Sequence, residues 1–242
     1  MRNHFIIFLF IVAGVHGPLL AQMVQVKTAA DLPEKILTKA RWQKISVSLD
    51  IGNTFLSASG TMKVDYKAAA EPEVKFTVAK NQKKCYYRLG DTETFNNEDA
   101  YVYIDHSSKR VVISHSKSVQ INLFPAPEMI AQILEQQSDL IKETIVGKNI
   151  RIGFRNEKNA DCKEYAMELD AVSFAPRSIF ERLDDTRVGA EIGSEVSIRI
   201  RFAQWSAQQP AAGILDYSSM VVSTPAGWKL KGAVQNYHLT VL

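Results

Sequence analysis

Apolar residues recur at every second position along much of this chain, and at three- and four-residue spacing in two shorter stretches. The two-residue pattern is most sustained over 60–114. Residues 61–66 place Met62, Val64 and Tyr66 on one face. Residues 73–78 place Val74, Phe76 and Val78 opposite Glu73, Lys75 and Thr77. Runs at 84–89, 100–104 and 109–113 follow, with a shorter one at 92–95. Asn81-Gln82, Gly90-Asp91, Asn96-Asn97 and Asp105-His106-Ser107-Ser108 separate them. Successive strand side chains point to opposite faces, so this alternation between polar turns predicts an antiparallel meander.

Before the meander, Leu32, Ile36 and Leu37 lie at helical spacing with Pro33 suited to a first turn, which predicts a helix over 30–40. Residues 42–49 read as a strand, with Ile45, Val47 and Leu49 facing one way, and 55–59 continue the sheet to a bend at Gly60. After it, Ile130, Ile133, Leu134, Gln137, Ile141 and Ile145 form one stripe, which predicts a helix over 128–146 opened by Pro127 and stopped at Gly147. Strands resume at 149–154, 163–169 and 195–202, where Val196, Ile198, Ile200 and Phe202 oppose Ser197, Arg199 and Arg201. Shorter ones follow at 220–222, 228–231 and 237–242, and 176–192 is irregular.

No stretch is rich enough in Gly, Ser or Pro to be a linker, and no solenoid-type repeat occurs. The expectation is therefore one mainly β domain over 22–242, a large curved antiparallel sheet with helices on one face. A twisted sheet of that size must curl or close. An amphipathic helix must bury its stripe, and the nearest surface for 128–146 is the apolar face of the meander. Periodicity does not say whether side chains alone fill the space between them or whether a cavity remains.

The N-terminus changes the picture. Arg2, a short apolar run over 5–12 and Leu19-Leu20-Ala21 before Gln22 form the layout of a secretory signal peptide cleaved after Ala21. The apolar run is shorter than the roughly 18–20 residues of a membrane span. The expectation is an exported protein, soluble once the leader is removed. Of 242 residues 46% are hydrophobic and 23% charged, as in ordinary globular chains. The net charge of +3 is spread along the chain and gives nucleic-acid binding no support. Cys85 and Cys162 are far apart in sequence. Export permits a disulfide between them, and sequence leaves their pairing open.

Candidate chemistry is sparse. His106 and His115 lie near opposite arms of one predicted hairpin, but a metal site needs three or four ligands and no third is evident. Glu181, Asp184 and Asp185 form an acidic group that reads as solvated loop carboxylates. No G-x-S-x-G, phosphate loop or dinucleotide fingerprint occurs. Tyr86, Tyr87, Tyr101 and Tyr103 suit half-exposed strands, and adjacent Tyr86 and Tyr87 must point to opposite faces. The expectation is a protein that is not an enzyme and needs no cofactor.

The leader is followed by a segment ending near Trp42, by the strand entry Ser57-Ala58-Ser59-Gly60-Thr61-Met62-Lys63-Val64 and by the strand 74–78. Then come Tyr86-Tyr87-Arg88-Leu89-Gly90-Asp91-Thr92-Glu93, Tyr101-Val102-Tyr103-Ile104-Asp105, the strand at 109–114, the helix at 128–146 and the late strand at 195–202. In this order of elements the sequence resembles the LolA-like family of periplasmic lipoprotein carriers. It departs at Asn96-Asn97-Glu98-Asp99 and in the C-terminal stretch 211–242. What the resemblance implies is a periplasmic protein, an incomplete half-barrel with a helical lid over an apolar cavity holding the acyl chains of lipoproteins or another lipid. Inner- and outer-membrane transport components would be its partners. Met62, Val64, Val74, Phe76, Val78, Ile130, Ile133, Leu134, Ile141, Ile198 and Ile200 would line cavity and lid. Arg88 would make the polar contact with the lid, and Gln137 would keep the lid's packing imperfect. The alternative is an envelope binding or scaffold protein of the same fold with a filled core.

Overall fold

The structure, a computed structural model, describes residues 34–49, 55–66, 69–115, 127–136, 140–155, 162–184 and 195–242. The leader at 1–21, the start of the helix expected over 30–40, Gln137 and Asp185 lie outside them. Two α-helices are described, α1 (Lys39–Leu49) and α2 (Pro127–Gln136). The first strands are β1 (Glu34–Ile36), β2 (Leu56–Tyr66), β3 (Ala69–Ala70) and β4 (Val74–Lys80). The meander continues through β5 (Cys85–Leu89), β6 (Thr92–Asn96), β7 (Tyr101–Asp105) and β8 (Arg110–Ser114). Then come β9 (Lys142–Val146), β10 (Asn149–Arg155), β11 (Glu164–Asp170), β12 (Pro176–Asp184) and β13 (Glu195–Ser206). The chain ends with the hairpin β14 (Val221–Thr224) and β15 (Gly227–Leu230), then β16 (His238–Val241).

Among the described residues, fourteen strands share one sheet, ordered β1-β9-β10-β11-β12-β13-β2-β4-β5-β6-β7-β8-β16, with β3 paired to β2. That order does not close on itself, so the protein is mainly β with an open sheet. β4 to β8 and β9 to β13 pair antiparallel in chain order, whereas β16 joins parallel to β8. The chain forms two compact units. Among the described residues, unit 1 holds 34–49, 62–66, 69–73, 127–136, 140–155, 162–184 and 195–202, and unit 2 holds 55–61, 74–115 and 203–242.

Two expectations for unit 1 are corrected. The helix runs Lys39–Leu49 rather than over 30–40, and 34–36 is an edge strand on β9. Trp42, Ile45 and Leu49 are buried, whereas Val47 is 78% exposed. That is the three- and four-residue period of a helix face, and it overrides the Ile45, Val47, Leu49 alternation. The Thr38 hydroxyl caps the start by accepting the Arg41 N–H at 3.2 Å. The second helix ends at Gln136 instead of running to Val146, because 142–146 forms β9 against β10. Gly147, at φ +60°, makes the tight β9–β10 turn that glycine tolerates best. Ile145, expected in the helix stripe, is 48% exposed on β9.

Unit 2 holds the meander, and in β4 to β7 adjacent residues are buried, so both faces are covered there. Val78 and Ala79 are neighbours in β4, and neither is exposed to solvent. Ala79, Tyr86, Phe95, Val102, Ile104, Val111 and Ile113 share one face by register. They form a core with Leu215, Val221 and Val234, closed by Tyr217, Trp228 and Tyr237. The cover over this face is thus the C-terminal stretch, made of single-turn helices, a hairpin and β16.

Candidate functional site

The feature in unit 1 with the most functional content is the strand face beneath the two helices. Register builds it row by row. One row runs Glu143, Ile152, Met167, Ile179, Ile200, and the next runs Phe154, Tyr165, Glu181, Ile198. The opposite face carries charge: Arg151 pairs with Glu164, Arg182 with Glu164 and Glu195, and Lys163 with Glu195 at 2.8 Å. This division follows from the period-two alternation of strands with one face toward a core.

Two helices lie over the apolar rows. Trp42 of α1 and Ile130 of α2 meet Ile141, Ile152, Phe154, Tyr165 and Met167 around a small apolar cavity of about 10 Å³. That is the lower limit for a single water and far below an acyl chain. Gly153 also lines it. A Cβ there would lie 2.3 Å from the Tyr165 carbonyl oxygen, so only glycine permits this approach of β10 to β11. Arg41 ties α1 to β9, its guanidinium donating to both Glu143 carboxylate oxygens and lying 5.0 Å from the Phe174 ring centroid. Lys39 of α1 and Glu135 of α2 form an exposed ion pair, which contributes little to stability.

Of the residues expected to line cavity and lid, Ile130 and Ile141 border this small void. Met62, Val64, Leu134, Ile198 and Ile200 are buried elsewhere in unit 1, and Ile133 is half-buried on α2. Val74, Phe76 and Val78 belong to β4 in unit 2, where Phe76 and Val78 are buried. Arg88 is in unit 2 as well. Its Nε donates to the Gly90 carbonyl at 3.1 Å and an Nη lies 3.3 Å from Glu93.

Sequence reasoning missed Trp42, Ile152, Phe154, Tyr165 and Met167 as one group. Their alternation was legible, but the pairing that aligns them was not. Glu181, read as a solvated loop carboxylate, sits in β12 opposite Tyr165. No ion pair reaches it among the described residues, and burial pushes its carboxyl up to about 7. The Tyr165 hydroxyl is buried with no hydrogen-bond partner among the described residues, and burial pushes it well above the usual tyrosine value.

His106 and His115 do not come together as a pair of ligands. His106 bridges the Glu93 carboxylate and the Tyr237 hydroxyl, each at 3.0 Å, while His115 is exposed after β8. That network pins the C-terminal stretch to the meander. Among the described residues no group of three or more His, Cys, Asp or Glu is placed to hold a metal. Cys85 and Cys162 are not joined in a disulfide, and Cys85 is buried, its thiol pushed up to about 12 by desolvation. Tyr86 and Tyr87 do take opposite faces, with Tyr86 4.8 Å from Phe95 on the core side. Among the described residues no helix is long and apolar enough to cross a membrane.

An open, mainly β sheet with two helices over one apolar face in unit 1 is the class these elements define. No protein-family model matches the chain, and no curated protein matches it. The solved structures similar to it include a LolA superfamily protein from Nitrosomonas europaea, at 8% identity over 75% of this chain and 99% of that one, TM-score 0.32. An uncharacterized conserved protein from Thermus thermophilus is similar at 8% identity over 83% of this chain and 98% of that one, TM-score 0.41. The MucA/MucB complex of Pseudomonas aeruginosa is similar at 10% identity over 79% of this chain and 62% of that one, TM-score 0.37.

Proposed function

We propose that this protein is a periplasmic carrier or chaperone, exported behind a leader at 1–21 and built as one domain over 22–242. It takes an acyl chain of a lipoprotein or another lipid under α1 and α2. The observation that carries the reading is the apolar cavity between the two helices and β10–β11. A void of about 10 Å³ admits no acyl chain, so in this reading a chain enters only when α2 shifts. Binding then has ample driving force, since each buried methylene contributes about 0.8 kcal/mol. Loading and unloading would be set by membrane components on either side of the periplasm. The chemistry is non-covalent and needs no catalytic residue or cofactor.

The second reading is an envelope scaffold with a filled core, favoured by the small size of that cavity. Native mass spectrometry of protein purified from its host separates the two. The carrier retains co-purified acyl lipid or acylated protein. A scaffold emerges ligand-free and does not bind added fatty acids.

A further inference from the structure

Among the described residues the sheet ends in two strands of different character. At one end β1 is three residues long and carries Glu34 and Lys35. At the other stands β16, His238-Leu239-Thr240-Val241, followed by Leu242. It holds no Pro, Gly, Lys, Arg, Asp or Glu, and Val241 and Leu242 are 55% and 71% exposed. Edge strands of soluble proteins are normally blunted by shortness, charge, Pro, a bulge or a cover, because an open edge templates pairing with another strand. β1 is blunted by its length and its charges. β16 runs in unbroken register with β8 and has none of these devices among the described residues.

The ladder fixes which groups of β16 are open. It lies parallel to β8, with His238 opposite Arg110 and Val241 opposite Ile113. The His238 N–H donates to the Lys109 carbonyl at 2.8 Å and the Leu242 N–H to the Ile113 carbonyl at 2.9 Å. In a parallel ladder alternate residues turn their N–H and C=O to the same neighbour, so 238, 240 and 242 face β8 while Leu239 and Val241 direct theirs outward. Side chains alternate likewise between the two faces. Leu239 and Val241 stand opposite Val111 and Ile113 of the apolar core. Leu239 packs against that core, whereas over half of Val241 is left in solvent, with no strand paired beyond it among the described residues.

We propose that β16 is a dimerisation edge, at which two copies of this chain join β16 to β16 antiparallel about a two-fold axis at Thr240. Register favours a second copy as the occupant. A pair centred on Thr240 sets Leu239 opposite Val241 of the partner subunit and Val241 opposite Leu239 of the partner subunit. Every outward N–H and C=O of these residues then meets its complement. The same pairing covers the exposed Val241 with a leucine and lays threonine against threonine, a favourable cross-strand match. With no Lys, Arg, Asp or Glu in β16, the symmetry brings no like charges face to face. The contact is isologous and closes at two copies, since the far edge, β1, is short and charged. An interface of one short strand a side is small, so the dimer is weak and governed by concentration. The inference is independent of the carrier reading.

The test is sedimentation of the purified protein from about 1 to about 500 µM, the range in which a small interface associates. The expected result is an average mass that climbs toward twice that of the monomer. Val241→Lys holds the protein at the monomer mass throughout, because the exposed position accepts a lysine in the folded chain and the pairing would bury it. Circular dichroism checks folding. Cysteine variants read the register. Opposed residues that are not hydrogen-bonded to each other lie about 4.5 Å apart at Cα, within disulfide reach. Thr240→Cys is therefore oxidised to a covalent dimer about tenfold faster than the wild type or Val241→Cys, whose image lies more than about 7 Å away.

A monomer mass at every concentration overturns the inference. Association that Val241→Lys leaves unchanged also overturns it, since the contact then lies elsewhere. Cross-linking of Val241→Cys as fast as Thr240→Cys does the same, since the strands are then not paired about Thr240. A protein that stays monomeric yet binds a synthetic peptide of alternating Thr and Val, with binding lost in Val241→Lys, overturns it too and gives the edge to a strand of another protein. None of these results bears on acyl-chain binding, so the carrier reading stands or falls separately.

Discussion

Glu181 shows most clearly how a single residue departs from what its sequence neighbourhood suggests. It stands among Arg182, Asp184 and Asp185, where any reading by composition makes it a solvated charge. The β12 register instead turns it toward Tyr165 and Ile198 while Arg182 goes to the charged face. The consequence for stability has a definite sign. The unfolded chain loses the Glu181 proton near pH 4.5, whereas the folded protein keeps it until about 7. Between those values the native state binds more protons, so stability falls as pH rises through the window. The total is up to about 3 kcal/mol. Thermal melts of the wild type and Glu181→Gln compared from pH 4 to 8 should therefore diverge. The wild type loses stability relative to the variant as pH rises toward 7, and the difference is flat above that. A constant difference across the range would show that the carboxyl is solvated.

At the scale of elements, much of the meander was legible. The runs at 73–78, 84–89, 100–104 and 109–113 correspond to β4, β5, β7 and β8, and the turns fall where Asn, Gly and Asp-Ser clusters stand. The helices were harder. In 39–49 the apolar residues Trp42, Ile45, Val47 and Leu49 satisfy both periods, and only the exposure of Val47 decides. In 128–146 a continuous stripe conceals the change from α2 to β9, because Ile141 and Ile145 fit a helical face as well as a strand. The β-branched Thr144, Ile145 and Val146 before Gly147 were the local signal for a hairpin. A substitution pair tests the assignment of α1. Val47→Lys should change stability by less than about 0.5 kcal/mol, while Ile45→Lys, which buries a charge, should cost several kcal/mol. Chemical denaturation measures both. Comparable losses at the two positions would restore the strand, in which they share a face.

For the molecule as a whole, the sequence carried the mainly β class and an open, many-stranded sheet. It did not carry the division into two units. Long-range pairing decides that division, and local pattern is silent about it: β16 returns to lie parallel to β8, and the C-terminal stretch fills one face of the meander. The cover sought for that face was the helix at 128–146. Instead Ile130 of that helix lines a cavity with Trp42 and the β10–β11 rows. The candidate site was legible only in part, as apolar positions without their partners. The carrier reading now turns on whether a chain reaches that cavity, and Trp42 reports on it directly. With Trp205 and Trp228 replaced by Phe, Trp42 is the one remaining tryptophan, and a fatty acid brominated in mid-chain quenches indole emission only on contact. Titration should quench Trp42 saturably, with a matched unbrominated chain competing the effect away. Trp42 emission that stays unchanged at saturating fatty acid would contradict acyl-chain binding beneath α1 and α2.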